Sequence, residues 1–92
     1  MKIKGLEAIK KKTDQMARFA DEIDGEIANV TFDPENPSSI EAALQEINYA
    51  IEEKANSYER NDWIQSLAEQ LKEISRKNLL EKAAAYRIGR ND

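Results

Sequence analysis

The segment from Asp33 to Ser39 most restricts how this chain can fold. It reads Asp-Pro-Glu-Asn-Pro-Ser-Ser, with one proline after Asp33 and a second after Asn36. A proline disfavours the helical conformation at the residue before it, so these two steps end any helix and form a tight turn. Ser38 stands three residues before Glu41, as in a capping box. We therefore predict that a helix begins at Ser38.

The residues before this turn predict one amphipathic helix, from about residue 6 to residue 23. Its apolar positions are spaced by three and four residues, with Thr13 in one of the places: Leu6, Ile9, Met16, Ala20 and Ile23. This spacing aligns them along one face of a helix. Gly25 follows and is expected to end the helix, because glycine readily adopts the left-handed conformation found after a last turn.

A second helix is expected after the prolines. Its apolar residues, from Ile40 through Leu44 to Ile51, recur at helical spacing, and it should end near Asn56. The residues that follow, 57–61, are poor helix formers and predict a short connection.

A third helix is expected from Asp62, which stands three residues before Gln65 in a weaker version of the capping pattern, to about Ile88, with Gly89 ending it. This helix would be about 40 Å long at its normal rise per residue. A core built from so short a chain does not need that length. Part of the third helix is therefore expected to project or to contact another chain.

Residues 26–32 have the composition of a short strand, since Ala28, Val30 and Phe32 alternate on one side. A lone strand would leave its backbone groups unpaired. The other candidate strand is residues 1–4, so we predict a minimal two-strand pair between residues 1–4 and 28–32. The alternative is an extended segment that lies over the helices.

These patterns together predict a mostly α fold: a single domain over residues 1–92 with three helices and the two-strand pair. A chain of 92 residues fits one domain, and its 40% apolar content is enough for a small core. The expected core is Leu6, Ile9, Met16, Ile23, Val30, Phe32, Ile40, Leu44, Ile47, Ile51, Ile64, Leu67, Leu71 and Ile74.

The residue types present argue against catalysis. The chain contains neither His nor Cys, which removes the commonest proton-transfer group and the commonest metal ligands. Neighbouring carboxylates such as Asp21 and Glu22, or Glu52 and Glu53, fall on the predicted solvent side of helices. We therefore predict that the protein is not an enzyme, with no catalytic, cofactor-binding or metal-binding residue and no small-molecule substrate.

The charge is unevenly distributed and bears on the kind of partner. Residues 26–62 hold two basic residues against nine acidic ones, within a net charge of −4 for the chain. An acidic middle repels a phosphate backbone, so no nucleic-acid role is expected. No apolar run is long enough to cross a membrane and no signal peptide is apparent, so we expect no membrane role.

The remaining role for this protein is to bind another protein. Aromatic side chains are enriched at protein interfaces, and the long third helix presents smooth alanine positions to a neighbour. The candidate interface residues are Tyr58, Trp63, Leu79, Ala83 and Tyr86. Packing at the boundary of the core is the alternative explanation for the aromatic ones. The expected partner is another protein or a second copy in a homo-oligomer.

Three stretches of the sequence carry a resemblance to a known class of proteins. The opening Met-Lys-Ile-Lys-Gly-Leu-Glu-Ala-Ile-Lys-Lys-Lys of residues 1–12 resembles the start of small tail-associated proteins of tailed phages. Residues 24–26, residues 32–43 and the ending at residues 80–87 are similar to small proteins encoded in prophages. The resemblance implies a virion or particle-assembly role, in the host cytoplasm or in the virion, and no catalytic residues.

A regulatory role is the alternative that the sequence leaves open. A small acidic helical protein can cover a basic surface, as an antitoxin, immunity protein or anti-repressor does. Such a protein would form a one-to-one complex with a basic protein.

Overall fold

The computed structural model describes residues 2–90 and contains three α-helices, α1 (Lys2–Ala28), α2 (Pro37–Asn56) and α3 (Asp62–Arg90). Residues 29–36 connect α1 to α2, and residues 57–61 connect α2 to α3. The mostly α, three-helix fold expected from the sequence is confirmed.

The predicted strand pair is wrong. Residues 2–4 belong to the first turn of α1, and residues 29–32 form a connection that contains no strand; Met1 lies outside the described residues. Two short strands alone are marginally stable, whereas each residue added to an existing helix gains one backbone hydrogen bond at little cost. α1 therefore includes residues 2–4 and Ala28, which were predicted to lie in strands. Val30 and Phe32 pack on the core from the connection.

The glycines do not end the helices as predicted. α1 continues through Gly25 to Ala28, and its last turn is tightened by hydrogen bonds from the N–H of Asn29 to Glu26 O at 3.2 Å and of Val30 to Ile27 O at 3.1 Å. α3 likewise includes Gly89. No glycine in the described part of the chain has a positive φ. Glycine permits a helix to end but does not require it to do so.

α2 begins one residue before the predicted start at Ser38, and its cap lies two residues before it. Pro37 is the first helical residue and Asn36 is the cap, whose side-chain oxygen accepts the N–H groups of Ser38 at 2.9 Å and Ser39 at 3.4 Å. Ser38 was the predicted cap. The Ser39 hydroxyl instead accepts the N–H of Asp33 at 2.8 Å, which closes the turn.

Substitution of Asn36 by alanine is expected to lower the free energy of unfolding by about 1 kcal/mol, because two N–H groups at the start of α2 lose their acceptor. Ser38→Ala serves as the matched control and should change it by only a few tenths of that amount. Urea unfolding followed by circular dichroism measures both. An equal loss in the two variants would contradict the assignment of the cap to Asn36.

The helices run up, down and up, so that α1 and α3 are parallel and α2 is antiparallel to both. Lys54 of α2 lies 3.8 Å from Glu22 of α1, and Lys72 of α3 lies 2.8 Å from Glu52 of α2. Lys72 also contacts Glu69 at 3.2 Å, and its hydrogen bond to Glu52 raises its pKa. These pairs are solvent-exposed on at least one side, so they contribute to alignment more than to stability.

The core lies where all three helices overlap. Its buried apolar residues are Phe19, Ile23, Ile40, Ala43, Ile47, Ile51, Ala55, Ile64, Ala68, Leu79 and Ala83. Of the predicted core, Ile23, Ile40, Ile47, Ile51 and Ile64 are buried, and a further six are half-buried against it: Met16, Val30, Phe32, Leu44, Leu67 and Leu71. The prediction was wrong for Leu6, Ile9 and Ile74, which are all more than half exposed.

The molecule is elongated, with dimensions of 64 × 22 × 18 Å. α2 has 20 residues and spans about 30 Å, so it covers less than half of the long axis. Among the described residues, the cross-helix hydrogen bonds of α1 begin at Lys12, and residues 5–11 before it are all exposed. At the opposite end residues 85–89 of α3 are all exposed. The expectation that the third helix is longer than the core needs is confirmed, and α1 projects as well.

Candidate interaction surfaces

The connection between α2 and α3 is organised by one buried polar residue, Asn61, which is 3% exposed. Its Oδ1 accepts the N–H groups of Trp63 at 3.1 Å and Ile64 at 3.2 Å, which caps α3. Its Nδ2 donates to Gln15 Oε1 at 2.9 Å and to Lys12 O at 3.3 Å. Asn61 therefore caps α3 and joins it to α1, whereas the sequence had placed the cap on Asp62.

The same connection is closed from the other side by Gln65. Its Nε2 donates to Ala55 O at 3.0 Å and to Tyr58 O at 3.1 Å. Ala55 O also accepts the N–H of Tyr58 at 2.9 Å, and Tyr58 O accepts the N–H of Asn61 at 2.8 Å, so Gln65 adds a second hydrogen bond to each of these carbonyls. The turn is consequently held in place at both of its helix ends.

Lys12, Asp62 and Trp63 form a small charged and aromatic cluster beside this turn. The Lys12 Nζ lies 2.6 Å from Asp62 Oδ1 and 5.0 Å from the centre of the Trp63 ring, within the range of a cation–π contact. The hydrogen bond from Lys12 lowers the pKa of Asp62. The Asp62 side chain is largely exposed, so the cluster orients Trp63 more than it stabilises the fold.

The predicted interface residues do not form one surface. Tyr58 and Trp63 lie near the α2–α3 connection, while Tyr86 lies on the projecting end of α3 at the other end of the molecule. Trp63 and Tyr86 are exposed and remain available for a contact. Leu79 and Ala83 are buried in the core, where packing within the chain explains their apolar character.

Tyr58 is half-buried and joins the α2–α3 connection to α1. Its ring meets the edge of the Phe19 ring at 6.2 Å and 83°, and its hydroxyl donates to Glu22 Oε1 at 3.1 Å. Partial burial, and then the hydrogen bond to Glu22, raises the pKa of Tyr58. The arrangement corresponds to packing at the boundary of the core, the alternative that the sequence left open.

Several exposed apolar residues were not recognised from the sequence as surface residues. Leu6 is 65% exposed and Ile9 is 53% exposed on the projecting end of α1, and Ile88 is 69% exposed on that of α3. Tyr49 is exposed on the outer side of α2, where its hydrogen bond to Glu53 raises its pKa. The expected length of the third helix relative to the second indicated the uncovered end of α3, whereas the first helix, predicted over residues 6–23, was no longer than the second and gave no such signal.

A groove of about 290 Å³ opens between the end of α1 and the middle of α3. Ile27, Val30, Phe32, Leu71 and Ile74 line it. The first four are half-buried and Ile74 is exposed, so apolar surface remains in contact with solvent here. We call this feature the α1–α3 groove.

A second, more polar cleft of about 560 Å³ lies between α1 and the α2–α3 connection, lined by residues that include Lys11, Gln15 and Arg60. No group of three acidic residues placed to hold a metal ion occurs between Lys2 and Arg90. No helix within that range is long and apolar enough to cross a membrane.

The fold and these surfaces define an elongated three-helix domain with apolar side chains exposed at both ends and in one groove. The chain belongs to the YuaX family, whose model matches residues 3–90. It is 34% identical over 87 residues to the uncharacterized protein YuaX of Escherichia coli strain K12, a match that covers 95% of this chain and 90% of that protein. No solved structure matches the chain significantly. The family match includes both projecting helix ends, which are therefore part of the family's domain.

Proposed function

We propose that this protein is a non-catalytic protein-binding module that serves as a structural or assembly subunit of a phage or prophage particle. The observation that carries the binding role is the exposure of Leu6 and Ile9 at one end of the molecule and of Ile88 at the other, on helix ends that no other described residue covers. Exposed apolar surface is typical of sites that contact another protein.

The residue types support a role in binding rather than in chemistry. His and Cys are absent from the sequence. Ordinary contacts account for the shifted pKa values: a hydrogen-bonded neighbour for Tyr49, Asp62 and Lys72, and partial burial followed by a hydrogen bond for Tyr58. The proposal includes no cofactor, nucleic acid, membrane or small-molecule substrate.

The particle setting, in the host cytoplasm or the virion, is supported by the resemblance of residues 1–12, 24–26, 32–43 and 80–87 to phage tail-associated and prophage proteins. The elongated shape with a projecting helix at each end suits a subunit that joins neighbours. Residues 5–11 of α1 and 85–89 of α3 are exposed, so that a second chain can lie against them.

Molar mass in solution tests the proposal. The chain has a mass of 10.5 kDa, and light scattering over a concentration series is expected to show species heavier than this whose share rises with concentration. The expectation follows because burying the exposed apolar surface in a second chain is favourable. A mass that stays at 10.5 kDa at every concentration would contradict the assembly role.

The acidic outer side of α2 favours a second candidate function, a small regulatory binder of the antitoxin, immunity-protein or anti-repressor kind. Glu41, Glu46, Glu52 and Glu53 are all exposed on this helix. Such a surface attracts a basic protein, and the resulting one-to-one complex should weaken as salt concentration rises. A monomer that forms a salt-sensitive complex with the basic product of a neighbouring gene would favour this function over assembly.

A further inference from the structure

Two uncovered apolar surfaces lie at opposite ends of α1. The first is the projecting α1 segment, residues 5–11, on which Leu6 and Ile9 are exposed. The second is the α1–α3 groove, where Ile74 is 52% exposed and lies close to Val30 and Phe32. The two surfaces have complementary shapes, because the first is a protruding apolar ridge and the second is an apolar recess.

The two surfaces cannot meet within one molecule. Ile9 and Asp24, which lies at the rim of the groove, both belong to α1 and are 15 residues apart. That separation corresponds to about 22 Å along a rigid helix. A contact between the segment and the groove must therefore join two molecules.

The charges around the two surfaces are complementary. Asp24 and Lys82 stand at the rim of the groove, and neither forms an ion pair with another described residue. The projecting α1 segment carries Glu7 and the pair Lys10 and Lys11 beside its apolar residues. A lysine of the segment can therefore pair with Asp24 of a second copy, and Glu7 with its Lys82.

We propose that the projecting α1 segment of one copy binds in the α1–α3 groove of a second copy, with Leu6 and Ile9 inserted between Ile74 and Phe32. This inference rests on the proposed assembly function and names the partner and the surface. The groove volume, about 290 Å³, is at the lower limit of the roughly 300–1,000 Å³ of small-molecule pockets, and its apolar lining suits aliphatic side chains.

The contact is heterologous, because each copy contributes a segment at one end and a groove at the other. Heterologous contacts continue from copy to copy, so they produce open chains or rings rather than closed dimers. A single helical segment buries less than the roughly 1,200–2,000 Å² of a standard stable interface, so the association is weak for one contact and depends on concentration.

Sedimentation velocity of the full chain and two variants tests this arrangement. Leu6→Gln with Ile9→Gln removes the apolar ridge, and Ile74→Lys blocks the groove and repels Lys10. All three positions are exposed, so both variants should keep their helical circular dichroism. Leu80→Gln, an exposed apolar position on α3 that does not line the groove, is the matched control and should associate as the unchanged protein does.

The unchanged chain is expected to form a series of species whose mean mass rises from that of a monomer between micromolar and millimolar concentration. Each of the two variants should remain monomeric. An equimolar mixture of them should form a one-to-one dimer and stop there, because one variant retains the groove and the other retains the segment.

Other outcomes overturn the inference in distinguishable ways. If the variants associate as strongly as the unchanged chain, the contact lies elsewhere and the proposed assembly function still stands. If each variant is monomeric and their equimolar mixture is also monomeric, the interface is symmetric and the head-to-tail arrangement is wrong. If the unchanged chain stays monomeric throughout, the inference and the self-assembly role fail together.

Discussion

Replacement of Phe19 by alanine is expected to lower the free energy of unfolding by about 3–5 kcal/mol. Phe19 is 0% exposed in the buried core, and its ring makes a T-shaped contact with the Tyr58 ring at 6.2 Å. A domain of this size has a total stability of roughly 5–14 kcal/mol at about 0.05–0.15 kcal/mol per residue. The variant should therefore be partly unfolded near physiological temperature.

Urea unfolding followed by circular dichroism measures this loss. Phe19→Leu, which retains most of the buried volume, should cost less than half as much, and Ile88→Ala on the exposed end of α3 should change stability by under about 0.5 kcal/mol. A loss below about 1 kcal/mol for Phe19→Ala would mean that Phe19 is not at the centre of the core.

Replacement of Asn61 by alanine is expected to lower the free energy of unfolding by about 2–3 kcal/mol. The cap on the N–H groups of Trp63 and Ile64 accounts for about 1 kcal/mol of it. The hydrogen bonds from Nδ2 to Lys12 O and Gln15 Oε1 account for most of the rest, at about 0.5–1.5 kcal/mol each.

Asn61→Ser separates the two contributions. Serine retains a capping oxygen but lacks the amide donor that reaches α1, so its expected loss is about half that of Asn61→Ala. Equal losses in the two variants would show that the cap contributes nothing. If the serine variant is as stable as the unchanged chain, the hydrogen bonds from Asn61 to α1 contribute nothing to stability.

Phe19 was absent from the core predicted from the sequence because two neighbouring residues compete for one place in the spacing. Both Phe19 and Ala20 lie three or four residues after Met16 and before Ile23. The structure buries Phe19 and leaves Ala20 exposed. The spacing of apolar residues defines a stripe along the helix, and packing against the other two helices decides which of two adjacent side chains fills it.

The error at Ile74 also arises from the spacing of apolar residues, but for a different reason. The predicted face of α3 followed alternating steps of three and four residues, which average 3.5, whereas a straight helix has about 3.6 residues per turn. Over a helix of 29 residues the difference rotates the stripe. The structure accordingly buries Ser75 and Leu79, and Ile74 is left at the groove.

The candidate interaction surfaces could be predicted only in part. Trp63 and Tyr86 are exposed aromatic residues, so they remain candidates, but Leu79 and Ala83 are core residues. The projecting α1 segment was assigned to the core because Leu6 and Ile9 continue its apolar stripe. A stripe indicates which side of a helix is apolar, and says nothing of whether another element lies opposite.

The sequence by itself determined the number of helices, the turn at Asp33–Ser39, the approximate ends of α2 and the absence of the residue types most used in catalysis. These features follow from local chemistry: proline geometry, apolar spacing and side-chain identity. The tertiary structure alone decided the extension of α1 over residues 2–4, the role of Asn61 and the exposure of the projecting α1 segment. Each of these depends on which residues of distant segments come to lie side by side, and α2 is simply too short to cover its two neighbours.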